Sequence, residues 1–181
     1  MLMSEAEQAH EHAEHAEHAA HSNEPFTKRV AAGMAILAAV LALVSVLGSM
    51  SATEELLTEV KASDAWAQYQ AKSIRRYQSE VTAGVLQAMN QPAKANDLMQ
   101  QAGKYRGDQD EIQKQAKEFE AESSGSGRKA HRLHLGEIFL EVAIVLSSLA
   151  ILTHKETMFA ASMAAGLAGS VIAASAYVLL G

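Results

Sequence analysis

Cysteine is absent from the 181 residues, so the chain has no disulfide, no thiolate nucleophile and no Cys-ligated metal. Its absence leaves the redox compartment undetermined. A surplus of basic charge is also missing, because residues 54–132 carry 12 acidic side chains against 12 Lys and Arg, and the whole chain has a net charge of -6. Binding of nucleic acid needs a basic surface, so we expect no nucleic-acid partner.

The sequence motifs of common enzymes are missing as well. There is no GxGxxG after a strand, no P-loop, no GxSxG and no HExxH. No segment shows the alternation of apolar and polar residues that is typical of a strand. We therefore expect an all-α protein without enzymatic activity and without a cofactor.

Long hydrophobic runs are present and hold most of the apolar residues, at positions 30–50, 133–153 and 158–180. Because a bilayer core of about 30 Å needs roughly 20 apolar residues in a helix, the runs predict three transmembrane helices at 25–50, 128–153 and 158–180. The second run contains Glu137 and Glu141 in its first half, and it spans a bilayer if its helix starts near His131. A polar turn at 153–157 makes the second and third spans an antiparallel pair.

Small residues recur at four-residue spacing in the third span. The two rows are Ala161, Ala165, Gly169 and Ala173, and Ser162, Gly166, Ser170 and Ala174. In lipid, such rows let helices approach closely. The rows predict either an oligomer contact that includes Gly166 and Gly169 or packing against the chain's own helices.

Residues 51–127 predict an antiparallel coiled-coil hairpin outside the membrane. An apolar seven-residue repeat on the outgoing helix is followed by Pro92, where the chain must turn. The repeat is Val60, Ala67, Ile74, Val81 and Ala88, and the returning stripe is Ala95, Leu98, Ala102, Tyr105, Gln109, Ile112, Ala116 and Phe119. The Ser/Gly segment 123–127 is expected to end the returning helix.

Alanine-rich seams pack closely but weakly, so we expect further copies of the chain to help bury this stalk-like hairpin. The prediction is a homo-oligomer in which Ile74 and Ile112 contact the partner. Trp66, Tyr69 and Tyr77 form a separate aromatic stripe. That stripe either docks a protein partner or a second copy, or packs within the hairpin.

Ionisable residues at the start of the second span are the best candidates for chemistry. His134, Glu137 and Glu141 share nearly one helix face, with His131 one turn earlier. A carboxylate in hydrocarbon costs several kcal/mol unless it is neutralised or paired. These four residues could carry protons or a cation, ligate a divalent metal, or anchor the helix end at the headgroups near Arg128, Lys129 and Arg132.

Residues 1–24 form a polar tail that is rich in His and Glu. Its imidazoles are His10, His12, His15, His18 and His21. As a helix, the tail could chelate Zn, Ni or Cu loosely, or it could sense acidification. Otherwise it is a flexible tail without a ligand.

Three stretches resemble the bacterial domain-of-unknown-function family 4337. They are PFTKRVAAGMAILAAVLALVS (25–45), SDAWAQYQAKSIRRYQSE (63–80) and HLGEIFLEVAIVLSSLAILT (134–153). The resemblance implies a small helical protein of the bacterial inner membrane and implies no activity.

The distribution of basic residues gives conflicting indications of the membrane orientation. Lys28 and Arg29 before the first span favour a cytoplasmic N-terminus, whereas the hairpin side holds 12 of 15 Lys and Arg. On balance the charges slightly favour a cytoplasmic hairpin.

Three functions are compatible with these features. The leading one is a non-enzymatic oligomeric membrane scaffold whose partners are the lipid bilayer, further copies and a protein on the stalk. The second is a proton or cation channel or transporter that uses Glu137 and Glu141. The third is a metal-responsive membrane protein that uses the His-rich tail.

Overall fold

The computed structural model describes residues 25–178, which form three α-helices and no strand. The helices are α1 (Pro25–Ala88), α2 (Pro92–Thr153) and α3 (Glu156–Val178). Each contains an apolar stretch that is long enough to cross a membrane. The expected all-α fold is confirmed, whereas the predicted metal ligands His10, His12, His15, His18 and His21 lie outside the described residues.

The two breaks between helices have local causes in the sequence. Asn90 has a φ of 57°, and after it the Gln91 N–H donates to the Leu86 carbonyl oxygen at 2.9 Å. This left-handed cap ends α1, and Pro92 then begins α2, where its missing N–H does no harm. His154, with a φ of 52°, ends α2 in the same conformation. Both breaks coincide with the predicted turns.

The expected linker at 123–127 is wrong, because α2 passes through these residues without interruption. The Ser123 hydroxyl donates to the Glu55 carbonyl oxygen at 3.2 Å, and Ser126 is buried. A Gly or Ser in a helix costs only about 0.5–1 kcal/mol relative to Ala, so packing against other helices can maintain the helix there.

The chain divides into two compact units. The hairpin unit is Glu54–Ser124, and within the described residues the bundle unit comprises 25–53 and 125–178. All three helices contribute to the core of the bundle unit. Its buried residues include Met34, Leu37, Leu41, Leu133, Leu140, Ile144, Ala173 and Ala176.

Close contact between α2 and α3 is made possible by glycine. A Cβ added to Gly136 would lie 2.7 Å from the Gly169 carbonyl oxygen, and one on Gly169 would lie 2.7 Å from that of Gly136. A Cβ on Gly166 would collide with Leu37 of α1. The expectation that Gly166 and Gly169 contact another copy is therefore wrong, since both are buried against the chain's own helices.

A serine pair also joins α2 and α3 inside the bundle. The Ser162 hydroxyl donates to the Ala143 carbonyl oxygen at 2.8 Å, and the hydroxyls of Ser147 and Ser162 are 2.6 Å apart. Both serines are fully buried. Since Ser162 has given its one proton to Ala143, Ser147 is the donor in the second bond.

Candidate functional site

The two helical segments of the hairpin unit contact each other in antiparallel order. Trp66 Nε1 donates to Glu120 Oε1 at 2.8 Å, and Lys72 Nζ donates to Asp108 Oδ2 at 2.5 Å. From the first pair to the second, the residue number rises on α1 and falls on α2, so the two segments run in opposite directions. Lys72 also lies over the Tyr105 ring, 5.4 Å from its centroid.

The face of α1 that packs in this unit consists mainly of small and polar residues. We call it the inner stripe. It is Thr58, Ala62, Ala65, Tyr69, Lys72, Arg76, Ser79, Ala83 and Leu86, all buried or half-buried. Its spacing alternates between four and three, and its small side chains allow the two helical segments to lie close together.

The apolar heptad predicted as the packing seam of α1 is exposed instead. Val60, Ala67, Ile74, Val81 and Ala88 all point away from the rest of the unit. Together with the a-type positions that alternate with them at three- and four-residue spacing, they form what we call the outer stripe. It is Leu57, Val60, Asp64, Ala67, Ala71, Ile74, Gln78, Val81, Val85 and Ala88, every one of them exposed.

The inner and outer stripes lie on nearly opposite sides of α1. At 3.6 residues per turn their centres are roughly 150° apart. The larger apolar side chains thus lie on the face that α2 leaves open. The predicted seam of α1 is wrong because hydrophobicity marks the outer stripe, whereas close approach selects the small residues of the inner one.

The α2 side of the hairpin follows the predicted stripe. Ala95, Ala102, Gln109 and Ala116 are buried, and the alternate positions, Ile112 among them, are half-buried. Ile112 therefore packs in part inside the hairpin unit, and its contact with another copy stays a prediction.

The residues of the aromatic stripe differ in their exposure. Trp66 and Tyr69 are half-buried and meet edge to face, with ring centroids 5.6 Å apart. Trp66 is bonded to Glu120, so it packs within the hairpin unit. Tyr77 is exposed, and Arg76 lies over its ring at 4.9 Å.

The ionisable residues of the second span come together only in part. His134 Nδ1 lies 3.0 Å from Glu137 Oε2, and the Glu137 side chain is 12% exposed against 47% for His134. Gly48 of α1 lies beside the imidazole, and a Cβ there would be in ordinary van der Waals contact with His134 Cε1 at 3.6 Å. Glu141 and His131 are exposed.

Residues 25–178 contain no group of three or more His, Cys, Asp or Glu side chains that could hold a metal ion. Close to the His134–Glu137 pair in sequence, Arg132 donates to the Ser175 hydroxyl of α3 at 3.1 Å. The geometry thus pairs the Glu137 carboxylate with the His134 imidazole at the start of the second span.

Sequence reasoning missed the inner stripe, although a signal was available. Its small residues keep the same alternating spacing as the apolar residues of the outer stripe, and Thr, Ala and Ser occupy most of it. A search for a second heptad of small residues on α1 would have found it.

Comparison with known proteins gives one family. The chain matches the family described as Domain of unknown function (DUF4337) over residues 26–179, which is nearly its whole length. No curated protein and no solved structure matches it. The match covers all three helices, so the chain belongs to the DUF4337 family.

Proposed function

We propose that this protein is a non-enzymatic membrane scaffold, in which the bundle unit anchors the chain in a bilayer and the hairpin unit holds copies together. The observation that carries the proposal is the outer stripe. Its Leu57, Val60, Ile74, Val81 and Val85 side chains are between 54% and 66% exposed, all on one side of one helix.

The outside of the bundle unit supports the membrane anchor. Large apolar side chains are exposed on all three of its helical segments. Examples are Ile36, Leu43, Val145, Leu152, Leu167 and Val171. Contiguous apolar surface of this kind is unfavourable in water, whereas lipid chains cover it at no cost.

The outer stripe lies in the hairpin unit, which has the charge pattern of a water-exposed region. Single exposed apolar residues are ordinary on protein surfaces, but a heptad row over three helical turns or more is typical of a helix that packs on another helix. Burying the remaining exposed part of each large side chain would stabilise an assembly by roughly 1 kcal/mol.

Charge introduced into the outer stripe is expected to separate the copies. We expect Ile74→Asp combined with Val81→Asp to raise the dissociation constant of the oligomer at least about 100-fold, because unpaired buried carboxylates cost several kcal/mol. Light scattering coupled to size-exclusion chromatography in detergent measures the change as a loss of mass.

The matched control places the same charges on the exposed side of α2, as Gln100→Asp with Gln115→Asp. It should leave the oligomer intact, and so should Glu137→Gln with Glu141→Gln, since a scaffold does not use those carboxylates for transport. A monomeric native chain, or an Ile74→Asp/Val81→Asp variant that keeps the native mass, would contradict the proposal.

We further propose that the protein lies in a bacterial inner membrane with its hairpin unit in the cytoplasm. Arg128, Lys129 and Arg132 directly before the second span support this orientation. In a Gln115→Cys variant of this cysteine-free chain, a membrane-impermeant maleimide should label the thiol only after spheroplasts are permeabilised. Labelling of intact spheroplasts would show that the hairpin unit lies on the opposite side of the membrane.

A further inference from the structure

We infer that the outer stripe pairs with the outer stripe of a second copy, parallel and in register, so that Ile74 of one copy meets Ile74 of the other. This inference rests on the proposed function and specifies its partner, geometry and stoichiometry. It predicts a two-fold symmetric dimer in which the two α1 helices are central and each α2 lies on the outside.

The repeat of the outer stripe is that of a parallel two-stranded coiled coil. Its positions alternate by three and four residues without interruption from Leu57 to Ala88. In heptad terms, Leu57, Asp64, Ala71, Gln78 and Val85 are a positions, and Val60, Ala67, Ile74, Val81 and Ala88 are d positions. Knobs of one helix then fit holes of an identical one, so the stripe is complementary to itself.

The flanks of the stripe favour a second copy over a charged partner. On one side the flanking residues are Leu56, Ser63, Gln70, Tyr77 and Gly84, and on the other they are Lys61, Gln68, Arg75, Thr82 and Met89. In a parallel pair each side faces the opposite side of the other copy. Lys61 then lies opposite Leu56 and Arg75 opposite Gln70, so no like charges meet across the flanks.

Parallel order and register follow from the membrane anchor. The outer stripe belongs to the same unbroken helix as the first hydrophobic span. Two copies with one topology in one bilayer therefore present the same residue at the same height. The seven-residue spacing also continues back through Met50, Leu43 and Ile36, which are exposed as well.

Two polar layers limit the strength of this dimer. Asp64 and Gln78 occupy a positions, where each would meet its own copy. Polar a residues specify a paired state while they lower its stability. Replacement of Asp64 by Val should therefore strengthen the dimer, with a dissociation constant lowered about tenfold for 1.4 kcal/mol. A partner that recognises Asp64 through a basic group would be lost by the same change.

The absence of cysteine from the native chain makes the geometry directly testable. The experiment oxidises single-cysteine variants in native membranes and separates covalent dimer from monomer without reductant. The variants are Val60→Cys, Ile74→Cys and Val81→Cys, with Gln115→Cys as the control on α2. Since a disulfide needs Cα atoms about 4.4–6.8 Å apart, each stripe variant should give about tenfold more covalent dimer than the control.

The outcomes separate the inference from the function on which it rests. Linking of Val60→Cys only to Val85→Cys, in membranes that contain both variants, would show antiparallel copies and overturn the inference while self-association stands. Linking at Ile74→Cys alone would show a crossing of the helices and overturn it likewise. If no stripe variant gives more covalent dimer than Gln115→Cys and the native chain is monomeric, both the inference and the proposed scaffold function are wrong.

Discussion

Gly169→Ala and Gly136→Ala are each expected to destabilise the protein strongly, by about 1–3 kcal/mol, although Ala is the better helix former. The added methyl group at either position would lie 2.7 Å from a backbone carbonyl oxygen of the facing helix. Backbone atoms cannot rotate away as a side chain can, so α2 and α3 must move apart. Thermal unfolding in detergent, followed by circular dichroism at 222 nm, would show a lower melting temperature.

Other glycines of the chain supply a graded set of controls. Apart from the backbone of its own helix and its chain neighbours, no atom lies within 4 Å of a Cβ added to Gly107, so Gly107→Ala should stabilise its helix by up to about 1 kcal/mol. Gly166→Ala should fall between the two, because its main obstacle is the end of the flexible Leu37 side chain. A Gly169→Ala variant as stable as Gly107→Ala would disprove the close approach of α2 and α3.

Leu140→Ala is expected to lower the free energy of unfolding of the bundle unit by roughly 2–5 kcal/mol. Leu140 is 0% exposed and belongs to the core formed by all three helical segments of that unit. In a bilayer the unfolded chain exposes the Leu140 side chain to lipid and not to water, so little hydrophobic transfer energy is lost on its removal. The destabilisation therefore comes mainly from the unfilled cavity and its lost van der Waals contacts. Unfolding in mixed micelles with increasing denaturing detergent measures it.

Leu152→Ala is the matched control on the same helix. Leu152 is 80% exposed, so its replacement leaves no internal cavity and should change the free energy of unfolding by less than about 1 kcal/mol. Equal losses for the two variants would mean that the three segments do not enclose Leu140.

The three apolar stretches and both breaks between the helices could be predicted from local signals. Uninterrupted apolar length indicates a span, and Asn90 with Pro92 marks the first turn because each residue acts on the backbone beside it. Segment 123–127 misled the prediction for the opposite reason. Its three serines and two glycines each weaken a helix by only about 0.5–1 kcal/mol, and contacts from elsewhere in the chain, such as Ser123 with Glu55, outweigh that loss.

The site was less predictable than the fold because it depends on which of two faces is covered. Ile74 was expected at a contact between copies and is exposed, as that role requires, whereas Ile112 is half-buried inside the hairpin unit. Nothing in the period of either stripe tells which face α2 will cover. Gly169 shows the same limit, since small residues permit close approach by any helix, whether from this chain or from another.

The inner stripe and the proposed contact face formed by the outer stripe together restrict how the length of α1 can change. One residue inserted between Leu57 and Ile74 would turn every later side chain by about 100°, so Ile74 and Ser79 would both leave their faces. Seven inserted residues would restore both faces, provided that α2 gained a matching heptad. Length variation in this region is thus limited to whole heptads added in pairs, and a deletion of one codon would do more damage than most substitutions.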